Sequence, residues 1–216
     1  MTFSLISGSS FKNKIPSTVT EIIFTDEIKP AAAEVIDVDA DGDSGVVAWT
    51  ENNGTIMKVS TQIKGIKVQA AVNSSSMFYS EWDIEKIDLK MLDTSNVTYM
   101  GAMFSYCSGL TSLDLTGWDT SNVTNMSSMF YGCRVLTSLN LTPLDTSKVT
   151  DMNGMFDSCY RLTSLDLTGW NTSNVTDMSY MFNGCSGLTS LDLTGWNTSK
   201  VTNMKNMFYD CDGLTS

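Results

Sequence analysis

Six Met-Phe pairs, at 77–78, 103–104, 129–130, 155–156, 181–182 and 207–208, follow one another at a constant step of 26 residues. Other columns keep the same step: Met100, Met126, Met152, Met178 and Met204, then Val97, Val123, Val149, Val175 and Val201. All five cysteines obey it as well, at Cys107, Cys133, Cys159, Cys185 and Cys211. A gap-free repeat means stacked units, none of which can bury its apolar side alone. The expected core columns include Phe104, Phe130, Phe156 and Phe182 beside Cys107, Cys133, Cys159 and Cys185.

The unit itself has two halves. Leu110–Thr116 alternates apolar and polar residues, the pattern of a short strand. Gly117–Asn122 is rich in Asp, Ser and Asn, which bond their own backbone in turns. Val123, Met126, Met129 and Phe130 then fall on one side of a short helical or 3₁₀ turn. The expected fold is an open β-rich solenoid of about five to six rungs over residues 76–216, each rung a short parallel strand and a short helical turn.

Residues 1–75 lack the period. Ser17–Thr25 alternates like a strand, and two β-branched runs, 46–50 and 55–61, flank the hairpin signal Glu51-Asn-Asn-Gly54. We read an antiparallel β meander that caps the first rung, whose Glu81 stands where later units carry Cys. The start has neither the basic region nor the long apolar run of a signal peptide. No C-terminal cap is visible, so the last Met204–Phe208 layer is expected to meet more chain or to self-associate.

Composition narrows the chemistry. With 24 acidic residues against 13 basic, the formal charge is −11, and no Lys/Arg cluster suits nucleic acid. Histidine is absent, which removes Ser-His and Cys-His nucleophiles and His-containing zinc sites. No apolar run reaches the ~20 residues that span a bilayer. The cysteines sit in register on parallel rungs amid apolar columns, so we expect core thiols rather than a disulfide framework.

Three features remain as candidate sites. The outer strand face repeats Ser112, Asp114 and Thr116; Ser138, Asn140 and Thr142; Ser164, Asp166 and Thr168; Ser190, Asp192 and Thr194. This acidic, hydroxyl-rich, concave face suits a basic protein or a glycan, although a solvated polar face with Asx turns is the simpler explanation. Asp37, Asp39, Asp41 and Asp43 resemble the opening of a calcium loop, but its twelfth position holds Ala48 instead of Glu. No other cofactor is expected. Trp118, Trp170 and Trp196 share a column with Leu92 and Leu144, which favours packing over a sugar-stacking ladder.

The run Met-Phe-x-x-Cys-x-x-Leu-x-x-Leu-x-Leu at 129–141 resembles the BspA-like leucine-rich-repeat surface proteins of bacteria. The spacing Asp-Thr-Ser-Asn-Val-Thr-x-Met-x-x-Met-Phe at 119–130 resembles their 26-residue branch. Val46-Val-Ala-Trp49 and Lys58-Val-Ser-Thr61 resemble the segment preceding such repeats. The resemblance implies a leucine-rich-repeat-type solenoid on the cell surface or secreted, a non-enzymatic adhesin-like module binding a protein or glycan on a host or bacterial surface. The alternative is a structural spacer or tip module, as in a phage tail fibre. A glycosidase using paired carboxylates is the third reading, weakened because every Asp pair arises by repetition.

Overall fold

A computed structural model describes residues 3–215. One short helix, α1 (Gly8–Lys12), precedes nine strands: β1 (Glu21–Thr25), β2 (Ile36–Asp37), β3 (Val47–Glu51), β4 (Ile56–Ser60), β5 (Val68–Gln69), β6 (Lys86–Asp88), β7 (Leu92–Asp93), β8 (Ser112–Leu113) and β9 (Ser138–Leu139). Among the described residues no helix is long and apolar enough to cross a membrane.

From residue 73 onward the chain climbs a ladder. Parallel bridges link Asn73 to Tyr99, then to Asn125, Asp151, Asp177 and Asn203. Along each rung the backbone N–H groups alternate in destination. Those of Met100, Ala102, Phe104 and Tyr106 donate to the next rung, to the carbonyls of Asn125, Ser127, Met129 and Tyr131, at 2.7–3.0 Å. Those of Met103, Ser105 and Cys107 turn back to Met100, Ala102 and Phe104 of their own rung, at 3.1–3.2 Å. Keeping half the donors pointed at the next rung forces recurrent left-handed residues, such as Ala102 (φ 54°) and Tyr106 (φ 61°).

This alternation corrects the expected helical turn. Among the described residues of the repeats no helix forms, because a helix would keep its N–H groups inside the rung. The apolar pattern is nevertheless satisfied: Val123, Met126, Met129 and Phe130 are all fully buried. The expected strand at 110–116 also contracts. Beyond the first repeat, only Ser112–Leu113 and Ser138–Leu139 pair as strands among the described residues, in parallel. They stop because Asp114 and Asn140 accept the N–H groups of Thr116 and Thr142, ending the ladder in Asx turns.

The core is a column of rings. Phe104, Phe130, Phe156 and Phe182 stack at centroid distances of 5.6–5.7 Å with planes within 6°. Beside them Cys107, Cys133, Cys159 and Cys185 are buried free thiols. Each donates its S–H to a phenylalanine carbonyl 29 residues earlier, at 3.1 Å. A third column clamps the rungs: buried Thr94 donates to the Asp119 carbonyl and accepts the Asp119 N–H. Thr146 does the same with Asn171, and Thr172 with Asn197.

The N-terminal third covers one end of this column, but not as an antiparallel meander. Its sheet is mixed, in the order β2-β3-β4-β1-β6. The β3–β4 hairpin is antiparallel as expected, turning through left-handed Asn52, Asn53 and Gly54. Strand β1, however, lies parallel to both β4 and β6. Strand β6 belongs to the first repeat, whose direction every later rung shares, and β1 continues that parallel edge. The boundary at 75/76 is likewise crossed, since β5 pairs in parallel with β7. Helix α1 finishes the end: Phe11 meets Phe78 edge-on at 6.0 Å, and Lys12 pairs with the half-buried Glu81 at 3.5 Å. At the far end Met204 and Phe208 are exposed, unlike their buried equivalents Met178 and Phe182.

Two substitutions test this construction. Phe156→Ala, in mid-column, should lose about 3–5 kcal/mol in chemical denaturation, and Phe208→Ala distinctly less. Ala102→Gly should raise stability by up to about 1 kcal/mol, the reverse of its usual sign, by relieving a left-handed alanine.

Candidate functional site

The strand face is displayed as expected. Ser112, Asp114, Thr116, Ser138, Asn140, Thr142, Ser164, Asp166, Thr168, Ser190, Asp192 and Thr194 are all exposed and recur one rung apart. Their acidic members are already engaged. Asp114, Asp166 and Asp192 accept the N–H of the threonine two residues on, at 2.8–3.0 Å, as Asn140 does. The hydroxyl and N–H of Thr116 hold the Asp114 carboxyl below the usual range, and the same threonine donors act on Asp166 and Asp192. A carboxyl held low is a poor proton donor at neutral pH. Another polar column at the 26-residue step behaves alike: Asp93, Asp119, Asp145, Asn171 and Asn197 each accept a serine N–H two residues on.

The face ends, toward the cap, in an open cleft of about 790 Å³ lined by Thr18, Thr20, Trp82, Asp83, Glu85, Lys86 and Thr111. Lys86 also lines a smaller hollow of about 210 Å³ with Asp88, Ser112 and Asp114, so cleft and strand face adjoin. Trp82 is 64% exposed at the cleft wall. On the turn side, Tyr79, Tyr106 and Tyr131 meet edge-on at 6.0 and 4.8 Å. The Tyr106 hydrogen bond, with burial, pushes the Tyr131 phenol up to about 12. Tyr160, Tyr180 and Tyr209 line a further cleft of about 460 Å³ with Asn183 and Asp210. These aromatics recur only in part along their columns: Tyr79, Tyr131 and Tyr209 share one 26-residue column with Ser105, Asp157 and Asn183, and Trp82 shares another with Tyr160, Ser108 and Ser186.

The other candidates divide. The tryptophan column is structural: Trp118, Trp170 and Trp196 lie against Phe104, Phe156 and Phe182 at 6.0–6.4 Å. Their indole N–H groups are buried without a hydrogen-bond partner, so no open sugar-stacking ladder exists there. Burial pushes the Cys133 thiol up to about 12 and raises Cys107 and Cys159 too, away from the reactive thiolate; Cys211, at the far end, is only half-buried. Of the four aspartates in the acidic loop, three converge. Asp39, Asp41 and Asp43 each bring a carboxylate oxygen within 4.8 Å of the others. Asp37 stands apart, exposed on β2 in register with Val47, which corrects the expected set of four.

The family described as "Mycoplasma protein of unknown function, DUF285" matches this chain twice, over residues 50–141 and 136–216. The chain belongs to the DUF285 family. The first match begins inside β3, so the DUF285 region takes in the β4 strand of the cap as well as the ladder. No curated protein and no solved structure matches the chain.

The Asx turns set an acid dependence. Because Asp114, Asp119, Asp166 and Asp192 titrate below the ordinary 3.8 when folded, their contribution is complete above that value. It is lost as pH falls through each depressed value. Asp114→Asn should therefore leave neutral-pH stability nearly unchanged, as Asn140 makes the same bond, and should flatten the acid limb of urea midpoint against pH.

Proposed function

We propose that this DUF285 chain is a non-enzymatic binding module: a leucine-rich-repeat-type solenoid, related to the BspA-like surface proteins, that engages a protein or glycan at a host or bacterial surface. The observation that carries the reading is the strand face, where polar side chains stand exposed and in register while their carboxylates are fixed by their own turns. A side chain held in one geometry before binding loses little freedom on binding. A periodic face of hydroxyls, amides and carboxylates matches a periodic or extended ligand better than a small molecule. The adjoining cleft adds an exposed indole, a surface on which the C–H face of a sugar or an aliphatic side chain can lie.

The depressed carboxyls of the face favour binding over hydrolysis, and the abundance of acidic residues favours basic or uncharged partners. The cell surface is the proposed location, by the same resemblance.

A glycan array and a panel of surface proteins, probed with the full chain, test the proposal. We expect saturable binding that falls at least ten-fold when Asp114, Asp166 and Asp192 are together replaced by Lys, and that weakens in Trp82→Ala. Circular dichroism should show both variants folded. Binding indifferent to the strand-face charges would sink the assignment, and absence of binding across both panels would favour a spacer.

A further inference from the structure

The segment from Asp37 to Gly45 follows a rule that one residue breaks. Asp37, Asp41 and Asp43 each use Oδ1 to accept the N–H two residues on, from Asp39, Asp43 and Gly45, at 3.2, 3.2 and 2.8 Å. Asp39 does not. It is only 5% exposed, and neither of its carboxylate oxygens has a hydrogen-bond partner. Gly45 N–H, spent on Asp43, eases the Asp39 charge without reaching bonding geometry with it.

The backbone leaves Asp39 little choice of position. It forms an antiparallel bridge with Leu5, flanked by bonds from Ile6 N–H to the Val38 carbonyl (3.1 Å) and from Ala40 N–H to the Ser4 carbonyl (3.0 Å). Val38 and Val46, at the two ends of the loop, are fully buried. The carboxylate is thus anchored inside and directed at Asp41 and Asp43, which reach it from the exposed side of the loop. Among the described residues no cationic side chain acts on it: burial first, then the adjoining Asp41 carboxyl and the charges of Asp41 and Asp43, push its carboxyl upward.

We propose that Asp39, Asp41 and Asp43 form a binding site for a hard divalent cation, calcium in the first place. Calcium takes oxygen ligands at about 2.3–2.6 Å, so two ligands on one ion lie at most about 4.6–5.2 Å apart. The three carboxylates satisfy that limit without rearrangement, each within 4.8 Å of the others. Asp39 supplies the deep ligand, whose desolvated charge an ion would neutralise. Asp41 and Asp43 close over the ion from outside, and water completes the shell. Calcium tolerates such an irregular, partly hydrated site, whereas magnesium demands near-octahedral geometry. The site is not an EF-hand, since Asp37 lies outside it and Ala48 is paired within β3. This inference does not depend on the proposed strand-face function.

Calorimetric titration of the full chain with calcium chloride, paired with thermal melts in calcium, in magnesium at equal ionic strength and in EGTA, tests the site. We expect one saturable site with Kd of about 10⁻⁵–10⁻³ M. Calcium should raise the melting midpoint beyond magnesium, and EGTA should abolish the gain. Asp39→Asn should lose the calcium response yet melt no lower than the parent in EGTA, because it removes a buried unpaired charge. Asp41→Asn should weaken calcium at least ten-fold, and Asp192→Asn should not change it. Absence of saturable uptake overturns the proposal, as does an equal response to magnesium, which would mark general screening of an acidic protein. Should Asp39→Asn fail to fold, the exposed Asp41→Asn decides, and unchanged binding there overturns the site.

Discussion

Everything in the repeats follows from where alternate backbone N–H groups go. A rung that spends every second donor on its successor cannot be a helix, because the helix would reclaim those donors. Nor is it an ordinary strand, since the intervening donors fold back over three residues, as from Met103 to Met100. The compromise is a succession of tight turns joined by left-handed residues, at Ala102 and Tyr106 and again at Ser128 and Gly132. Once that backbone is set, successive rungs are superposed, and every side-chain column becomes a physical stack. The phenylalanine rings, the thiols and the threonine clamps are consequences of this register as much as supports for it.

The core was legible in the chain because a repeat turns identity into position. Phe156 is buried for the same reason as Phe104 and Phe130, and one inference covered the column. The conformation of the turn half was not legible, since Val123, Met126, Met129 and Phe130 show the spacing of a helical face. Apolar spacing records which residues point inward and says nothing of which N–H groups leave the rung. Ala102 and Ser128 themselves carry no mark of a left-handed backbone; the one glycine of their column, Gly154 (φ 59°), is too isolated a sign to announce it. The parallel setting of β1 was hidden for a different reason. Its alternation at Ile22 and Phe24 tells which face is buried, whereas its direction depends on β6, more than sixty residues away. The displayed polar face was legible, and so was its use in Asx turns. Trp82 and the tyrosines were not, because their columns mix aromatic with polar residues, as Tyr79, Tyr131 and Tyr209 do with Ser105, Asp157 and Asn183.

Polar residues are handled in two ways across the molecule. On the rungs, the Asp and Asn of the strand-face and turn columns are committed to a backbone N–H two residues on, and substitution of one for the other along a column changes charge without changing the bond. Asn140 among Asp114, Asp166 and Asp192 shows that tolerance directly. In the acidic loop the same device is repeated at Asp37, Asp41 and Asp43, and Asp39 stands out because it is excluded from it. A departure from a local rule at one buried charge is more informative than the abundance of charge elsewhere.

The direction of the rung-to-rung bonds also governs how the stack bears force. They run along the stacking axis, so tension applied between the two ends loads them end-on and one layer at a time. Neighbouring layers are only about 5.3–5.7 Å apart at their rings. Each layer that detaches releases 26 residues, able to extend to roughly 90 Å at about 3.4 Å per residue. The stack would thus lengthen in equal steps more than ten times the height of the layer lost, peeling from an end while the remainder stays folded. Stretched between two attachment points, such a chain would act as a length reserve that yields in uniform increments.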